Sequence, residues 1–140
     1  MFECPSTLNS LVKAHILSFY KAADGEHTAG DWAKHFTQDG IAKKSPDEVK
    51  GRESLQAWIT SSWATVESRE HIVHRVFPFE DGQNEVMLHG STNMTLRDGS
   101  KKQLIWSGRL QFVKDGDGVL INRYTVISDP TPPSAEMLSS

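Results

Sequence analysis

The second half of the chain alternates apolar and polar residues in four runs that are separated by turn signals. The runs cover residues 70–79, 85–96, 103–114 and 120–128, and the intervening turns lie at 80–83, 97–100 and 115–118. Each turn contains Asp-Gly, which is among the strongest hairpin signals because both residues tolerate the backbone angles of a tight turn. This half of the chain therefore predicts a meander of four antiparallel strands.

The first half repeats apolar residues every three or four positions, which is typical of amphipathic helices. The predicted segments are a first helix from a cap at Ser6 or Thr7 to Ala23, a second from Thr28 to Gly40, a short strand at 41–43, a loop at 45–47 and a third helix at 52–67. Helices that cover one face of an antiparallel sheet define the α+β class. A strongly twisted sheet wrapped around them would leave a cone with a cavity at its wide end.

The length and the net charge of the chain limit the classes of function that it can have. The 140 residues predict one domain over 1–140, with an ordered core at about 6–129 and a mobile, proline-rich tail at 130–140. A formal net charge of −3 without a basic block argues against a nucleic-acid partner. No apolar run approaches the ~20 residues of a membrane span, and no secretory leader pattern opens the chain. We therefore expect a cytoplasmic protein with no membrane partner.

The sequence carries no signature of a metal site or of a cofactor. It contains no His-Glu-x-x-His, no Cys-x-x-Cys and no glycine-rich nucleotide loop. Its one cysteine, Cys4, excludes an internal disulfide. We expect no metal and no cofactor.

Two short motifs lie at the junctions between the predicted elements of the first half. Phe-Thr-Gln-Asp-Gly closes the segment 31–40, and Gly-Arg-Glu-Ser-Leu lies within 50–58. Their order resembles the nuclear transport factor two-like superfamily, where a Phe-x-x-Asp-Gly segment, a short strand and a Gly-Arg-x-x-Leu helix precede the sheet. The segments 85–90 and 115–118, with Arg123, Tyr124 and Asp129, also resemble its SnoaL-like, polyketide cyclase-type branch.

The resemblance covers about residues 8–129 and implies a cone-shaped, barrel-like α+β fold. Three N-terminal helices would pack on a strongly curved, mainly antiparallel sheet around an internal pocket. It also implies a homodimer through the outer face of the sheet. It does not imply one reaction, because the superfamily includes isomerases, dehydratases, cyclases, epoxide hydrolases and binding proteins.

Alternation along the predicted strands selects candidate pocket residues, because successive side chains point to opposite faces of a sheet. The inward sets of the strands and the core-facing tryptophans of the helices give seven predicted substrate-binding residues: Trp32, Trp58, Trp63, Leu88, Gly90, Trp106 and Gly108. The two glycines indicate either a sharp bend or space kept for a ligand. The tryptophans either pack the core or stack on a flat, apolar ligand.

Polar residues on the strands are candidates for catalysis. Asn122 and Tyr124 share the predicted inward set of the last strand, where they orient a ligand or satisfy a backbone group in the core. His71 and His74 are three residues apart, so a regular strand sends them to opposite faces. Histidine titrates near neutrality, which suits general acid–base work, and we prefer His74 as the inward one.

The resemblance adds two catalytic candidates and removes one mechanism. Tyr20 matches the first-helix tyrosine of the steroid-isomerase branch, and Asp129 matches the terminal acid of the SnoaL-like branch, unless Asp129 is only a turn residue. The two carboxylates of the steroid-isomerase branch are missing, because their places read Ile-Ala-Lys-Lys at 41–44 and Gly108. The proton shuttle of that branch is therefore not available.

These patterns predict a cofactor-independent enzyme that acts on a hydrophobic, polycyclic or polyketide-like small molecule. The reaction would be an isomerisation, a cyclisation, a dehydration or an epoxide opening. Tyr20, Asn122 and Tyr124 would donate hydrogen bonds to an oxyanion, and His74 or Asp129 would move the proton. The alternative is a non-catalytic binding protein or a dimeric scaffold with the same pocket.

Overall fold

The computed structural model of the protein describes residues 2–80 and 84–129. Its elements, in chain order, are helix α1 (Ser10–Ala23), helix α2 (Ala29–Ala33), strands β1 (Phe36–Lys44) and β2 (Asp47–Lys50), helix α3 (Arg52–Ser61) with a 3₁₀ turn (Ser62–Ala64), and strands β3 (Val66–Pro78), β4 (Glu85–Leu96), β5 (Lys101–Asp115) and β6 (Gly118–Ser128). The predicted tail at 130–140 lies outside the described residues. Within the described ranges, no helix has the length and apolar character needed to cross a membrane.

The strands form one open sheet of six strands in the order β2-β1-β6-β5-β4-β3. β1 runs parallel to β6, and the other neighbouring pairs are antiparallel. The predicted meander is β3 to β6, and the three helices pack on the sheet around a shared apolar core. The predicted α+β class is confirmed, with the pair β1 and β2 in place of the single short strand predicted at 41–43.

The first helix begins later than predicted. The side-chain oxygen of Asn9 accepts the backbone N–H groups of Leu11 and Val12 at 2.8 and 3.4 Å. These bonds satisfy two of the free donors at the start of the helix. The cap is therefore Asn9, and neither Ser6 nor Thr7.

The second and third helices end earlier than predicted. α2 stops at Ala33 and not at Gly40, because the chain from Phe36 onward pairs with β6. A side chain at Gly40 would place its Cβ 2.9 Å from the Cβ of Phe36, so glycine permits a tight irregularity inside β1. α3 stops at Ser61, and Val66 already belongs to β3.

The Gly-Arg motif fastens β1 to the start of α3. Gly51 has φ +93°, in the left-handed region that glycine favours, and its N–H donates to the carbonyl of Gly40 at 2.8 Å. The Nε and Nη2 of Arg52 donate to the carbonyl of Phe36 at 2.9 and 2.7 Å. The two motifs that carry the superfamily resemblance therefore have a structural role.

A β-bulge interrupts the alternation of β3. Val73 pairs with Gly90 and Arg75 pairs with His89, so His74 is an extra residue between them. A bulge shifts the inward and outward phase of a strand by one residue. Inward residues are therefore odd-numbered from Arg69 to Val73 and even-numbered after the bulge, and an earlier register shift between Val66 and Ser68 accounts for the buried Val66.

A second bulge lies in β6. Ile121 and Arg123 pair with consecutive residues of β5, which leaves Asn122 as the extra residue. Ile121 and Tyr124 are buried, and Asn122 is exposed. The prediction that Asn122 and Tyr124 share the inward face is therefore wrong.

The inward sets predicted for the two central strands form the floor of the core. Their buried members are Val86, Leu88, Gly90 and Thr92 in β4, and Leu104, Trp106, Gly108, Leu110 and Phe112 in β5. Ser91, predicted to face outward, is also buried at 2% exposure. The reason is that His74 lies over it, with Nε2 3.0 Å from the Ser91 Oγ.

Candidate active site

A cavity lies between the helices and the sheet and is partly open to solvent. Its volume is about 150 Å³. Its aromatic lining residues are Phe19, Tyr20, Trp32, Trp58, Trp106 and Tyr124, and its polar ones are Lys44, Ser62, Arg69, His71, Thr92 and Ser128. An apolar cavity of about 150 Å³ holds one benzene-sized ring. A larger ring system would have to extend through the open side.

Two tyrosines meet in the cavity wall. The hydroxyl of Tyr20 in α1 donates to the hydroxyl oxygen of Tyr124 in β6 at 3.3 Å, and both side chains are buried. A Cβ at Gly108 would lie 3.5 Å from the Tyr20 oxygen and 3.4 Å from the Tyr124 ring. These are ordinary contact distances, so Gly108 lies directly against both tyrosines.

Burial makes both tyrosines weaker acids. It raises the pKa of Tyr124 to about 12, and it raises the pKa of Tyr20 well above the ordinary value, with a further contribution from Tyr124. Both hydroxyls are therefore protonated at neutral pH. Because Tyr20 already donates to Tyr124, the Tyr124 O–H is free to donate to a ligand oxygen.

The carboxylate of Asp24, the residue that follows α1, binds His71 of β3 at two points. One oxygen lies 2.5 Å from the ring Nδ1, and the other accepts the His71 backbone N–H at 2.9 Å. The two side chains are only 21% and 20% exposed. The His71 ring also packs near Tyr20 and Trp106, at centroid distances of 5.4 and 6.1 Å. Because Asp24 holds Nδ1, Nε2 is the ring nitrogen left for a ligand.

Arg69 of β3 anchors the end of α1 beside this pair. Its Nε and Nη2 donate to the carbonyl of Ala23 at 2.8 and 2.7 Å, and its Nη1 donates to the Ser62 Oγ at 2.7 Å. The guanidinium lies 4.1 Å from the ring centroid of Trp63. Burial lowers the pKa of Arg69 to about 10, against the raising effect of Asp24. Arg69 is therefore charged at neutral pH.

Lys44, the last residue of β1, is a second cation in the cavity wall. It is half-buried, and among residues 2–80 and 84–129 its side chain forms no hydrogen bond and no ion pair. Burial and then the charge of Arg69 lower the pKa of Lys44, and Asp47 opposes them. Lys44 and Arg69 thus place a lysine and an arginine in the same cavity wall.

The cavity is a site of hydrogen-bond donors more than of metal ligands. In the part of the chain that the structure describes, no group of three or more His, Cys, Asp or Glu side chains is placed to hold a metal ion. The lining side chains that can donate to a ligand are Tyr124, Lys44 and Arg69, and the His71 Nε2 can accept from one. Such a set favours a ligand with electron-rich oxygens.

Five of the predicted site residues line the cavity: Tyr20, Trp32, Trp58, Trp106 and Tyr124. Leu88 and Gly90 lie in the core behind it. A Cβ at Gly90 would lie 2.5 Å from the Trp106 ring, so this glycine lets the indole lie flat against the strand. Trp63 belongs to a separate apolar cluster with Val66 and Leu96.

The two strand histidines point to opposite faces, but His71 is the one in the cavity. His74 is the bulge residue of β3, and its ring bonds to Ser91 and lies 5.9 Å from the ring of His89. Before the bulge the inward phase falls on residues 69, 71 and 73. The preference for His74 as the inward histidine is corrected to His71.

Asn122 and Asp129 lie outside the cavity. Asn122 is the exposed bulge residue of β6. The carboxylate of Asp129 accepts the backbone N–H of Ile105 at 2.9 Å, and its own N–H donates to the Ile105 carbonyl at 3.0 Å. Asp129 therefore extends the pairing of β6 with β5, as a residue at a strand end does.

Sequence reasoning did not identify Asp24, Arg69 and Lys44 as site residues. In the sequence Asp24 is part of an Asp-Gly helix end, and its partner His71 is 47 residues away. Arg69 lies in the polar run before the bulge, where both faces carry polar residues. The fold places Lys44 and Arg69 in the cavity wall and brings Asp24 against His71, and none of these contacts is local in the sequence.

No protein-family model matches the chain, and no curated protein sequence matches it. Solved structures do match it. A scytalone dehydratase-like protein from Novosphingobium aromaticivorans is 13% identical at a TM-score of 0.71, over 89% of this chain and 88% of that chain. A SnoaL-like polyketide cyclase-type protein from Shewanella denitrificans is 14% identical at 0.70, over 86% and 92%. A ketosteroid isomerase-like protein from Erwinia carotovora atroseptica is 14% identical at 0.68, over 90% and 98%. The resemblance read from the sequence is confirmed at the level of the fold.

Proposed function

We propose, on the nuclear transport factor two-like fold that these neighbours share with the chain, that the protein is an enzyme that moves a proton on an aromatic small molecule without a cofactor. The observation that carries the proposal is the Asp24–His71 pair, in which the His71 ring lines an aromatic cavity and Asp24 holds that ring. A histidine whose Nδ1 is held by a carboxylate is oriented for proton transfer at Nε2. The carboxylate also stabilises the imidazolium that forms.

The tyrosine pair would stabilise the charge that proton removal places on a substrate oxygen. Tyr124 would donate its O–H to that oxygen. Tyr20 would in turn donate to the Tyr124 oxygen through their 3.3 Å hydrogen bond and so hold that hydroxyl in place. Donors that are already in place in a water-poor site are worth about 3 kcal/mol each in the transition state. His71 as base and Tyr124 as donor line the same cavity.

The reaction class is proton abstraction next to a carbonyl. That step begins isomerisations, dehydrations and cyclisations alike, and the neighbours include proteins described as dehydratase-like, cyclase-type and isomerase-like. Epoxide opening has less support, because it requires an activated water in place of a carbon acid. The cavity volume favours a substrate with one enclosed ring over a fully enclosed polycyclic one.

Hydrogen–deuterium exchange of the methyl protons of acetophenone in D₂O, followed by NMR, tests this proposal. The wild-type protein should accelerate exchange over buffer, and His71→Gln should reduce the acceleration by about a hundredfold. His74→Gln is the matched comparison, since the same side chain is removed from the outer face, and it should exchange at the wild-type rate. An unchanged rate in His71→Gln would overturn the assignment of the base. Binding of acetophenone without exchange would favour the alternative, a non-catalytic binding protein.

We also infer that the protein forms a homodimer through the outer face of the sheet. Four large apolar side chains of that face are exposed: Phe77 at 51%, Met87 at 45%, Ile105 at 46% and Ile127 at 75%. An exposed apolar patch with polar neighbours marks an interaction surface. The superfamily resemblance makes a second copy of the chain the expected occupant.

A further inference from the structure

The two cations of the cavity wall have no counter-charge within the cavity. Among the described residues, the cavity lining contains Lys44 and Arg69 but no Asp or Glu. Asp24, the carboxylate near Arg69, is engaged with both the ring and the backbone of His71. The side chains that face the cavity therefore include two basic groups and no carboxylate.

The carboxylate near Lys44 is engaged elsewhere as well. Asp47 accepts a hydrogen bond from the indole Nε1 of Trp58 at 3.3 Å, and although its charge raises the pKa of Lys44, the two side chains are not in ion-pair contact. The chain as a whole is acidic, with a formal net charge of −3, so the positive character is local to the cavity. A half-buried cation without a partner is costly, and an anionic ligand would offset that cost.

Arg69 has donors left for such a ligand. A guanidinium has five N–H groups, and the bonds to Ala23 and Ser62 use one on each nitrogen. The two remaining N–H groups belong to the two terminal nitrogens, which are the pair that binds carboxylates at two points. The end of α1 thus holds Arg69 in position, and one N–H group on each terminal nitrogen is left for a ligand.

We propose that the cavity takes a planar aromatic acid, with its carboxylate between Lys44 and Arg69 and its ring against the tryptophans of the wall. The volume of about 150 Å³ suits a single ring, and Trp58 and Trp106 supply flat apolar surfaces. This inference rests on the proposed function, because it names the substrate class of the same cavity. The carboxylate fixes the orientation, while His71 and Tyr124 act on another part of the molecule.

A substitution of Lys44 tests the binding of a carboxylate without removing a contact that holds the fold together. Removing Arg69 would also release Ala23 and Ser62, so a loss of binding there would have two explanations. Lys44 has no hydrogen bond or ion pair to lose within the described ranges. Its neighbour Lys43 has the same side chain but is exposed and absent from the cavity lining, which makes it the matched control.

The test is a titration with benzoate and with its neutral isostere benzamide, followed by the indole N–H signals of the four tryptophans in NMR spectra. The wild-type protein should bind benzoate at least about tenfold more tightly than benzamide, as expected for one partly buried charge pair. Lys44→Met should reduce that ratio to about threefold or less without changing the affinity for benzamide. Lys43→Met should keep the wild-type ratio.

Equal affinities for the two probes in the wild-type protein would overturn the inference. So would an undiminished preference for benzoate in Lys44→Met, because the carboxylate would then lie elsewhere. The titration needs no turnover, so it separates the two proposals. A preference for benzoate in a protein that exchanges no protons would refute only the proposed reaction. Exchange that depends on His71 without a preference for benzoate would refute only the substrate class.

Discussion

Asp24 fixes both the position and the tautomer of His71, since one carboxylate oxygen meets the ring Nδ1 at 2.5 Å and the other accepts the backbone N–H at 2.9 Å. The end of a helix and the middle of a strand are joined through one side chain. With Asp24 on Nδ1, the neutral ring carries its proton there and presents a bare Nε2. This relationship makes the function of the pair testable at Asp24 as well as at His71.

Asp24→Asn should leave the fold intact and slow proton exchange by about a hundredfold or more. The amide keeps the shape of the carboxylate, but its NH₂ group can donate to Nδ1 and so favour the wrong tautomer. Exchange of acetophenone protons measures the rate, and imidazole nitrogen shifts in NMR measure the tautomer. An exchange rate equal to that of the wild type, with the tautomer changed, would show that His71 is not the base.

Tyr124→Phe should reduce turnover about tenfold or more, and Tyr20→Phe should have a smaller effect. The reason is that Tyr124 would donate directly to the substrate, whereas Tyr20 acts through Tyr124. Each variant loses one hydrogen bond, so its free energy of unfolding should fall by only about 1 kcal/mol. A double-mutant cycle should show non-additive losses, since the two hydroxyls form one chain. The opposite ranking of the two variants would refute this order of donors.

The protein should lose stability steeply at alkaline pH. Burial raises the pKa of Tyr124 from 10.0 to about 12. The folded state disfavours tyrosinate, so this stability is complete below pH 10, falls as the pH rises from there and is lost by about pH 12. The difference of two units corresponds to about 3 kcal/mol.

Ultraviolet titration checks this directly, because the chain has only two tyrosines and both are buried. Tyrosinate absorbance should rise only together with unfolding, as followed by circular dichroism. Titration of either tyrosine near pH 10 in a folded protein would contradict the buried pair. Tyr20→Phe provides the spectrum of Tyr124 alone.

Two glycines on the inner face should respond differently to the same substitution. A Cβ at Gly90 would lie 2.4 Å from the carbonyl oxygen of Ile72 and 2.5 Å from the ring of Trp106, so Gly90→Ala should destabilise the protein by about 3 kcal/mol. At Gly108 the nearest atoms are 3.4–3.6 Å away, which is ordinary contact, and Gly108→Ala should cost less than about 1 kcal/mol. Denaturant unfolding measures both. Equal losses would mean that the Trp106 ring does not lie against Gly90.

Charge on the outer face should separate the proposed homodimer. Light scattering should give about twice the chain mass of 15.6 kDa for the wild type. Ile105→Lys combined with Ile127→Lys should give one chain mass, because buried lysines without partners are costly at an interface. Leu11→Lys on α1, 48% exposed, is the matched control and should stay dimeric. A wild type of one chain mass at millimolar concentration would refute the dimer.

The order of elements was readable from the sequence because its signals are local. The Asp-Gly turns and strict alternation set the bounds of β4 at Glu85–Leu96, as the structure has them. The fold class followed from the same signals. Where the prediction gave a helix up to Gly40, the tertiary pairing of β1 with β6 overrode the local pattern.

Only part of the site could be predicted from the sequence. Two of the errors, at His74 and Asn122, have the same physical cause. His74 and Asn122, both predicted in the pocket, are each the extra residue of a β-bulge. Alternation counted along a sequence has no sign of an extra residue, so one side of each bulge is assigned to the wrong face. Tyr20 was found because it lies on a helix stripe, and Tyr124 because the predicted phase of β6 holds for the residues after the bulge. Asp24 could not be found, since its role exists only across 47 residues.

The bulge at His74 also has an evolutionary consequence. Because His74 pairs with no residue of β4, its deletion would leave Val73 facing inward, Arg75 outward and Val76 inward, as they do now. The strand can therefore gain or lose one residue here without changing which side chains face inward on either side of the bulge. A relative that lacks the extra residue would need a gap at this position. If the two sequences were aligned without that gap, the residues on one side of the bulge would be matched to residues that face the opposite side of the sheet.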